Sequence, residues 1–154
     1  MNEFPELIRR HQVDPGPLVH VGAAQRHEIP AYYEAGFSDI TVIDSAPERV
    51  KSLRTRFPGV FIVEMTGNET LRLDARARVV TVNVPGHELA VLDALPWDNL
   101  TLLTVATTAK DGADAASSYD LVTEAVTTRG FVEVDRWTRH PHDAADVNVV
   151  YLRP

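Results

Sequence analysis

Gly22 closes the apolar run LVHV and Asp44 closes the run ITVI, 22 residues further on. A glycine lets the chain turn sharply and bring its backbone up to a ligand. A carboxylate about 20 residues later can accept hydrogen bonds from the hydroxyls of a bound ribose. Gly22, Asp44 and the adjoining Ser45 are therefore candidates for holding a nucleoside. The plainer alternative stays open, in which Asp44 only hydrogen-bonds the start of the helix that follows. His87 and Glu88 offer an acid–base pair for deprotonating an acceptor hydroxyl, although a carboxylate at a helix start explains Glu88 equally well. His20 reads as a hydrogen-bonded, partly buried imidazole. With His27 and His87 it could cluster near the strand ends. His140, His142 and Asp143 have metal-capable side chains in an expected loop, where solvated histidines are the default.

The elements that must position these groups alternate along the chain. An opening helix, Asn2 to His11, stops at Asp14-Pro15-Gly16-Pro17. Strands are expected at Leu18–Val21, Ile40–Ile43, Val60–Met65, Val79–Val84 and Leu100–Val105. Helices lie between them. One carries Pro30 in its first turn and ends at Gly36. One starts at Ser45-Ala-Pro-Glu48, with the spacing of a capping box, and turns Val50, Leu53 and Phe57 to one side. Gly67-Asn68 reads as a turn, Leu89 to Leu95 as a short helix, and Ser117 to Arg129 as a helix capped by Gly130. Phe131–Thr138 and Val147–Leu152 have no helix between them, so they must pair antiparallel. This pattern predicts one α/β domain over residues 1–154, with a mostly parallel sheet and a C-terminal hairpin; residues 1–17 form the N-terminal helix and lead-in. In such sheets ligands sit beyond the carboxyl ends of the strands, which is where Gly22, Asp44 and the Asn83–Glu88 stretch fall.

The 154 residues carry 15 Lys and Arg against 22 Asp and Glu, a formal charge of -7, which argues against nucleic acid or an anionic membrane as partner. There is no cysteine, hence no disulfide or thiolate metal site. The start lacks the apolar core of a signal peptide and no run reaches membrane-spanning length, so a cytoplasmic location is the expectation. No GxxxxGK[ST] or GxSxG motif supports phosphoryl transfer or hydrolase chemistry.

Residues 20–50, HVGAAQRHEIPAYYEAGFSDITVIDSAPERV, with VVTVNVPGHELAVLDAL at 79–95, GFVEVDRW at 130–137 and DVNVVYLRP at 146–154, resemble the FkbM-type branch of class I S-adenosylmethionine-dependent methyltransferases. The resemblance implies a Rossmann-like sheet of about seven strands with an antiparallel last strand, and S-adenosylmethionine as cofactor. It places Gly22 and Ala23 along the cofactor, Glu28 at the motif's glutamate, Asp44 on the ribose, and Asn83 where the family has an aspartate near the methionine end. Gly86 and Glu88 match the second motif. The chain departs from the pattern at His20, which stands in place of aspartate, and at Arg26, in place of the second glycine. Further departures are Asn83, Pro85 and the brevity of Thr66–Arg78.

Two functions follow. One is methyl transfer from S-adenosylmethionine to a hydroxyl of a sugar or small molecule, with His87 or Glu88 assisting. The alternative is a catalytically silent methyltransferase-fold module, acting as a homo-oligomer or as a subunit of a larger assembly. A nicotinamide dehydrogenase, which uses a similar first βαβ unit, is the weakest reading, because the second glycine is missing and the chain closes in a hairpin.

Overall fold

A computed structural model describes residues 3–24, 27–65, 71–108, 118–140 and 143–154. Arg26, the Gly67-Asn68 turn and His142 lie outside the described residues, as do Asn2 and Ser117 at the starts of two expected helices, and so do the side chains of His140 and Asp143.

The apolar runs become β1 (Leu18–Gly22), β2 (Ile40–Asp44), β3 (Phe61–Glu64), β4 (Val79–Asn83), β5 (Leu102–Thr108), β6 (Val132–His140) and β7 (Asp143–Leu152). The helices are α1 (Glu3–Arg10), α2 (Glu28–Glu34), α3 (Pro47–Arg56), α4 (Glu88–Asp93) and α5 (Ser118–Thr127). The strands form one seven-stranded sheet in the order β3-β2-β1-β4-β5-β7-β6. β1 to β5 run parallel, and β7 lies antiparallel between β5 and β6. The fold has the mostly parallel sheet and closing hairpin that the alternation predicts, in the seven-stranded Rossmann-like form that the resemblance implies. From β1 the chain winds outward through β2 to β3, then returns to place β4 on the other side of β1. The β1–β4 seam is thus the point at which the strand order reverses.

Both faces of the sheet are covered, which is why its central strands read as nearly unbroken apolar runs. Val19, Val21, Val80, Val82, Leu103 and Val105 pack under α4 and α5. Leu18, Val42, Val79, Leu102 and Val150 pack under α1, α2 and α3. On this second face α1 seats Phe4 edge-on against Tyr32, with ring centroids 4.9 Å apart. Burial of each such side chain stabilises the fold by about 1.5–3 kcal/mol.

Two local expectations are corrected. Ser45 does not cap α3. Pro47 fixes φ at the first helical position, so Ala46 becomes the N-cap, with no side-chain cap of its own. Asp44 Oδ1 instead accepts the Ala46 N–H at 3.1 Å, an Asx turn that serves the same purpose. The stretch 139–145, read as a loop, is largely hairpin, with pairing carried out to His140 opposite Asp143. Ladder hydrogen bonds in an antiparallel ribbon extend as far as the two backbones stay in register, whatever their polarity. No helix among the described residues is long and apolar enough to cross a membrane.

Candidate active site

At the carboxyl edge of the sheet a cleft of about 300 Å³ opens beside α4. Val21, Ile43, Met65, Leu71, Val84 and Val91 give it apolar walls, while Gly22, Asp44, Ser45 and His87 supply its polar atoms. Among the described residues no Lys or Arg lines it. The volume sits at the low end of the range of about 300–1,000 Å³ typical of small-molecule sites.

Gly22 adopts φ +101°, and a Cβ there would fall 1.9 Å from the Asn83 carbonyl oxygen. The glycine therefore serves close approach of β1 to β4, held also by the Ala23 N–H donating to that carbonyl at 3.3 Å. Asp44 is only 2% exposed. Arg49 Nε donates to its Oδ2 at 2.7 Å and Arg49 Nη2 to its Oδ1 at 2.9 Å. Burial pushes this carboxyl up, but the Arg49 fork and the Ala46 and Ser45 amides together outweigh it and hold the group below its usual range. Asp44 is thus ionised at neutral pH. A carboxylate offers about four acceptor positions, and these donors occupy most of them. Arg49 was not visible as a partner in the sequence; its position five residues after Asp44, on α3, is the only signal.

A second cavity, about 170 Å³, lies under α1 and α2 on the other side of the β1–β4 seam. His20, Glu28, Tyr32, Thr81 and Asn83 line it, with Thr104, Trp137 and Asn148 toward the hairpin. His20 is 1% exposed. Its Nε2 faces two acceptors, the Ala23 carbonyl at 3.1 Å and the Glu28 carboxylate at 3.9 Å, which assigns the ring proton to Nε2. Nδ1 then accepts from Tyr32 Oη or Thr81 Oγ1, each 2.7 Å away, and those two hydroxyls are 3.0 Å apart. Burial, reinforced by the charge of Glu28, pushes the Tyr32 phenol well above its ordinary value, so it remains a donor. His20 is the hydrogen-bonded buried imidazole expected of it.

The candidate residues therefore divide. Gly22, Asp44, Ser45 and His87 share the cleft, whereas Glu28 and Asn83 line the second cavity. Ala23 lies between the two, its carbonyl accepting from both His20 and Asn83 Nδ2. His87 is exposed on the cleft's rim, while Glu88 is buried in the first turn of α4. The three histidines do not form one cluster, because His20 and His27 line the second cavity and His87 the first. Among the described residues no group of side chains is placed to hold a metal ion. Tyr32 is a core ring and Tyr33 a surface one.

The backbone decides the broad class. The chain has the fold of S-adenosylmethionine-dependent methyltransferases. It superposes on Aeropyrum pernix fibrillarin, crystallised with natively bound S-adenosyl-L-methionine, with a TM-score of 0.63 and 13% identity over 90% of this chain and 67% of that one. The 1,6-didemethyltoxoflavin-N1-methyltransferase of Burkholderia thailandensis, with bound 1,6-didemethyltoxoflavin and S-adenosylhomocysteine, gives 0.63 and 18% over 97% and 76%. A glycopeptide N-methyltransferase complexed with sinefungin gives 0.65 and 12% over 99% and 85%. No protein-family model and no curated protein matches the sequence, so the likeness to the FkbM-type branch rests on its motifs alone.

Proposed function

We propose that this protein is a methyltransferase that takes S-adenosylmethionine in the 300 Å³ cleft and passes its methyl group to a small polar acceptor. The observation that carries the reading is Asp44, an ionised carboxylate held by Arg49 at the edge of an apolar cleft that, among the described residues, no Lys or Arg lines, at the strand-order reversal. The apolar walls fit an adenine and a thioether chain, Asp44 and Ser45 would hold the ribose, and the Gly22–Ala23 turn would face the amino-acid end. When bound, the cofactor supplies a methyl group already activated on a sulfonium, so the protein's task is placement. His87, at the rim, is the group we assign to accept an acceptor's proton, with Glu88 supporting the start of α4. A hydroxyl of a sugar or small molecule is the acceptor class first expected, and the charge of -7 disfavours nucleic acid.

Calorimetry with S-adenosylmethionine and S-adenosylhomocysteine tests this directly. Binding of both is expected, and absence of heat at millimolar ligand would overturn it. Asp44→Ala should weaken binding roughly a hundredfold, about 2–3 kcal/mol for lost charge-assisted hydrogen bonds. The fold should survive, because what is removed is an Asx cap worth about 1 kcal/mol and a half-exposed ion pair with Arg49 worth under about 1 kcal/mol.

A second reading, a silent module working in an assembly, is favoured by one observation: Arg49 already engages both carboxylate oxygens of Asp44. Under it the protein binds neither cofactor form and runs larger than one chain by light scattering.

A further inference from the structure

We infer that the second cavity is itself a ligand site, and that its ligand is a small uncharged planar ring with an amide-like edge, an N–H beside a C=O, such as a lactam heterocycle. The acceptor role of that ligand rests on the methyltransferase reading; the binding site does not.

The sheet supplies the first argument. On the α1–α2 face the row Leu18, Val79 and Leu102 is apolar and fully buried, as is Val150, which faces Thr104 from β7. Two residues nearer the carboxyl ends the same face turns polar, with His20, Thr81 and Thr104 in register across three strands and Asn148 diagonal to Thr104 on β7. Polar groups in a covered sheet are costly unless bonded. His20 and Thr81 are satisfied through Tyr32. Thr104, 5% exposed, and the part-exposed Asn148 line the cavity, and among the described residues neither side chain makes a hydrogen bond. A hydroxyl and a carboxamide have been placed at the cavity wall with their bonding capacity unspent.

The chemistry of the wall names the class. A carboxamide presents a donor beside an acceptor, and the ligand edge that meets both at once is another amide edge. Phe4, Tyr32 and Trp137 supply aromatic surface for a flat ring. Glu3 and Glu28 on the same lining disfavour an anion. The cavity also adjoins the donor cleft, because Gly22, which lines the one, pairs in register with Asn83, which lines the other.

The probe is 2-pyridone, compared with N-methyl-2-pyridone, benzoate and methyl β-glucoside, titrated into the cofactor-free protein and followed by amide chemical shifts. 2-Pyridone is expected to shift the amides of Thr104 and Asn148, with N-methyl-2-pyridone at least tenfold weaker and benzoate silent. Thr104→Val, nearly isosteric, should weaken 2-pyridone about tenfold without lowering the thermal midpoint, since the hydroxyl it removes bonds no protein group. Asn148→Leu should weaken it at least as much. Equal binding of the N-methylated ring, preference for the glucoside, or a Thr104→Val protein that melts lower and binds unchanged would each overturn the inference. S-adenosylhomocysteine is titrated separately. If it binds while 2-pyridone does not, this site fails and the donor cleft stands; if 2-pyridone alone binds, the site stands and methyl transfer fails.

Discussion

The two cavities flank one seam, β1 against β4, and differ in how their polar groups are settled. In the cleft beside α4 the Asp44 carboxylate is bonded by the protein itself, through Arg49 and the Ala46 amide. In the cavity beneath α1 and α2 a bonded trio, His20, Tyr32 and Thr81, stands beside a hydroxyl and a carboxamide that bond nothing. A ligand entering the first must compete with an internal partner. A ligand entering the second meets a hydroxyl and a carboxamide with no protein hydrogen bond to displace, so it competes for them with solvent alone. The difference shows that an obvious charge does not by itself mark the more receptive site.

The largest effect is expected at the shared wall. Gly22→Ala would place a methyl group 1.9 Å from the Asn83 carbonyl at a φ that L residues avoid, so both cavities should be lost together with about 3 kcal/mol or more of stability. A thermal midpoint within a degree of the parent would show that β1 and β4 are not held as closely as described. Next comes His20→Phe, which should cost about 1–3 kcal/mol. Its effect stays moderate because Tyr32 and Thr81 still bond each other and Ala23 keeps Asn83 as donor. It should weaken the lactam probe and leave S-adenosylhomocysteine unchanged. Equal losses at both cavities would dissolve the distinction between them.

Much of this was legible in the sequence for a physical reason. Strands buried on both faces must be apolar along their length, so β1, β2 and β4 announced themselves within a residue or so of each end, and the short link after β6 forced the hairpin. The Gly22–Asp44 pair was legible because the βαβ unit fixes their spacing. What was not legible depends on which side of a sheet a side chain emerges. Glu28 and Asn83 adjoin the cleft residues in the chain, yet they line the opposite cavity. Thr81 and Thr104 interrupt apolar runs, but β-branched threonine is common in strands and gives no warning of a polar row. Ser45 had the right spacing for a capping box, and Pro47 displaced it. Arg49 was hidden because a guanidinium five residues along a helix has many possible partners in sequence and one in space.

Arg49 also gives the test with the next smaller effect. Arg49→Gln frees acceptor positions on Asp44, so S-adenosylhomocysteine should bind about threefold to tenfold more tightly, while the half-exposed ion pair costs under about 1 kcal/mol of stability. Weaker binding in that variant would mean that the guanidinium is part of the donor site and not its competitor.

The smallest effect is a pH dependence, and its sign follows from the same contact. The Asp44 carboxyl in the folded protein lies below its ordinary 3.8, the value it regains on unfolding. Below both values the group binds a proton in either state and contributes nothing. Above the unfolded value the folded state alone has gained the stabilised anion, so the contribution is full at neutral pH and is lost as pH falls through the folded value. The difference in thermal midpoint between the parent and Asp44→Asn should therefore stay flat from about pH 7 to about pH 5 and shrink only below about pH 4. In an Arg49→Gln background, where the main donor to the anion is gone, the shrinkage should begin at a higher pH. A difference that closes between pH 7 and 5 in the parent would mean that burial outweighs Arg49, and that the cleft presents a protonated acid to any ligand that enters it.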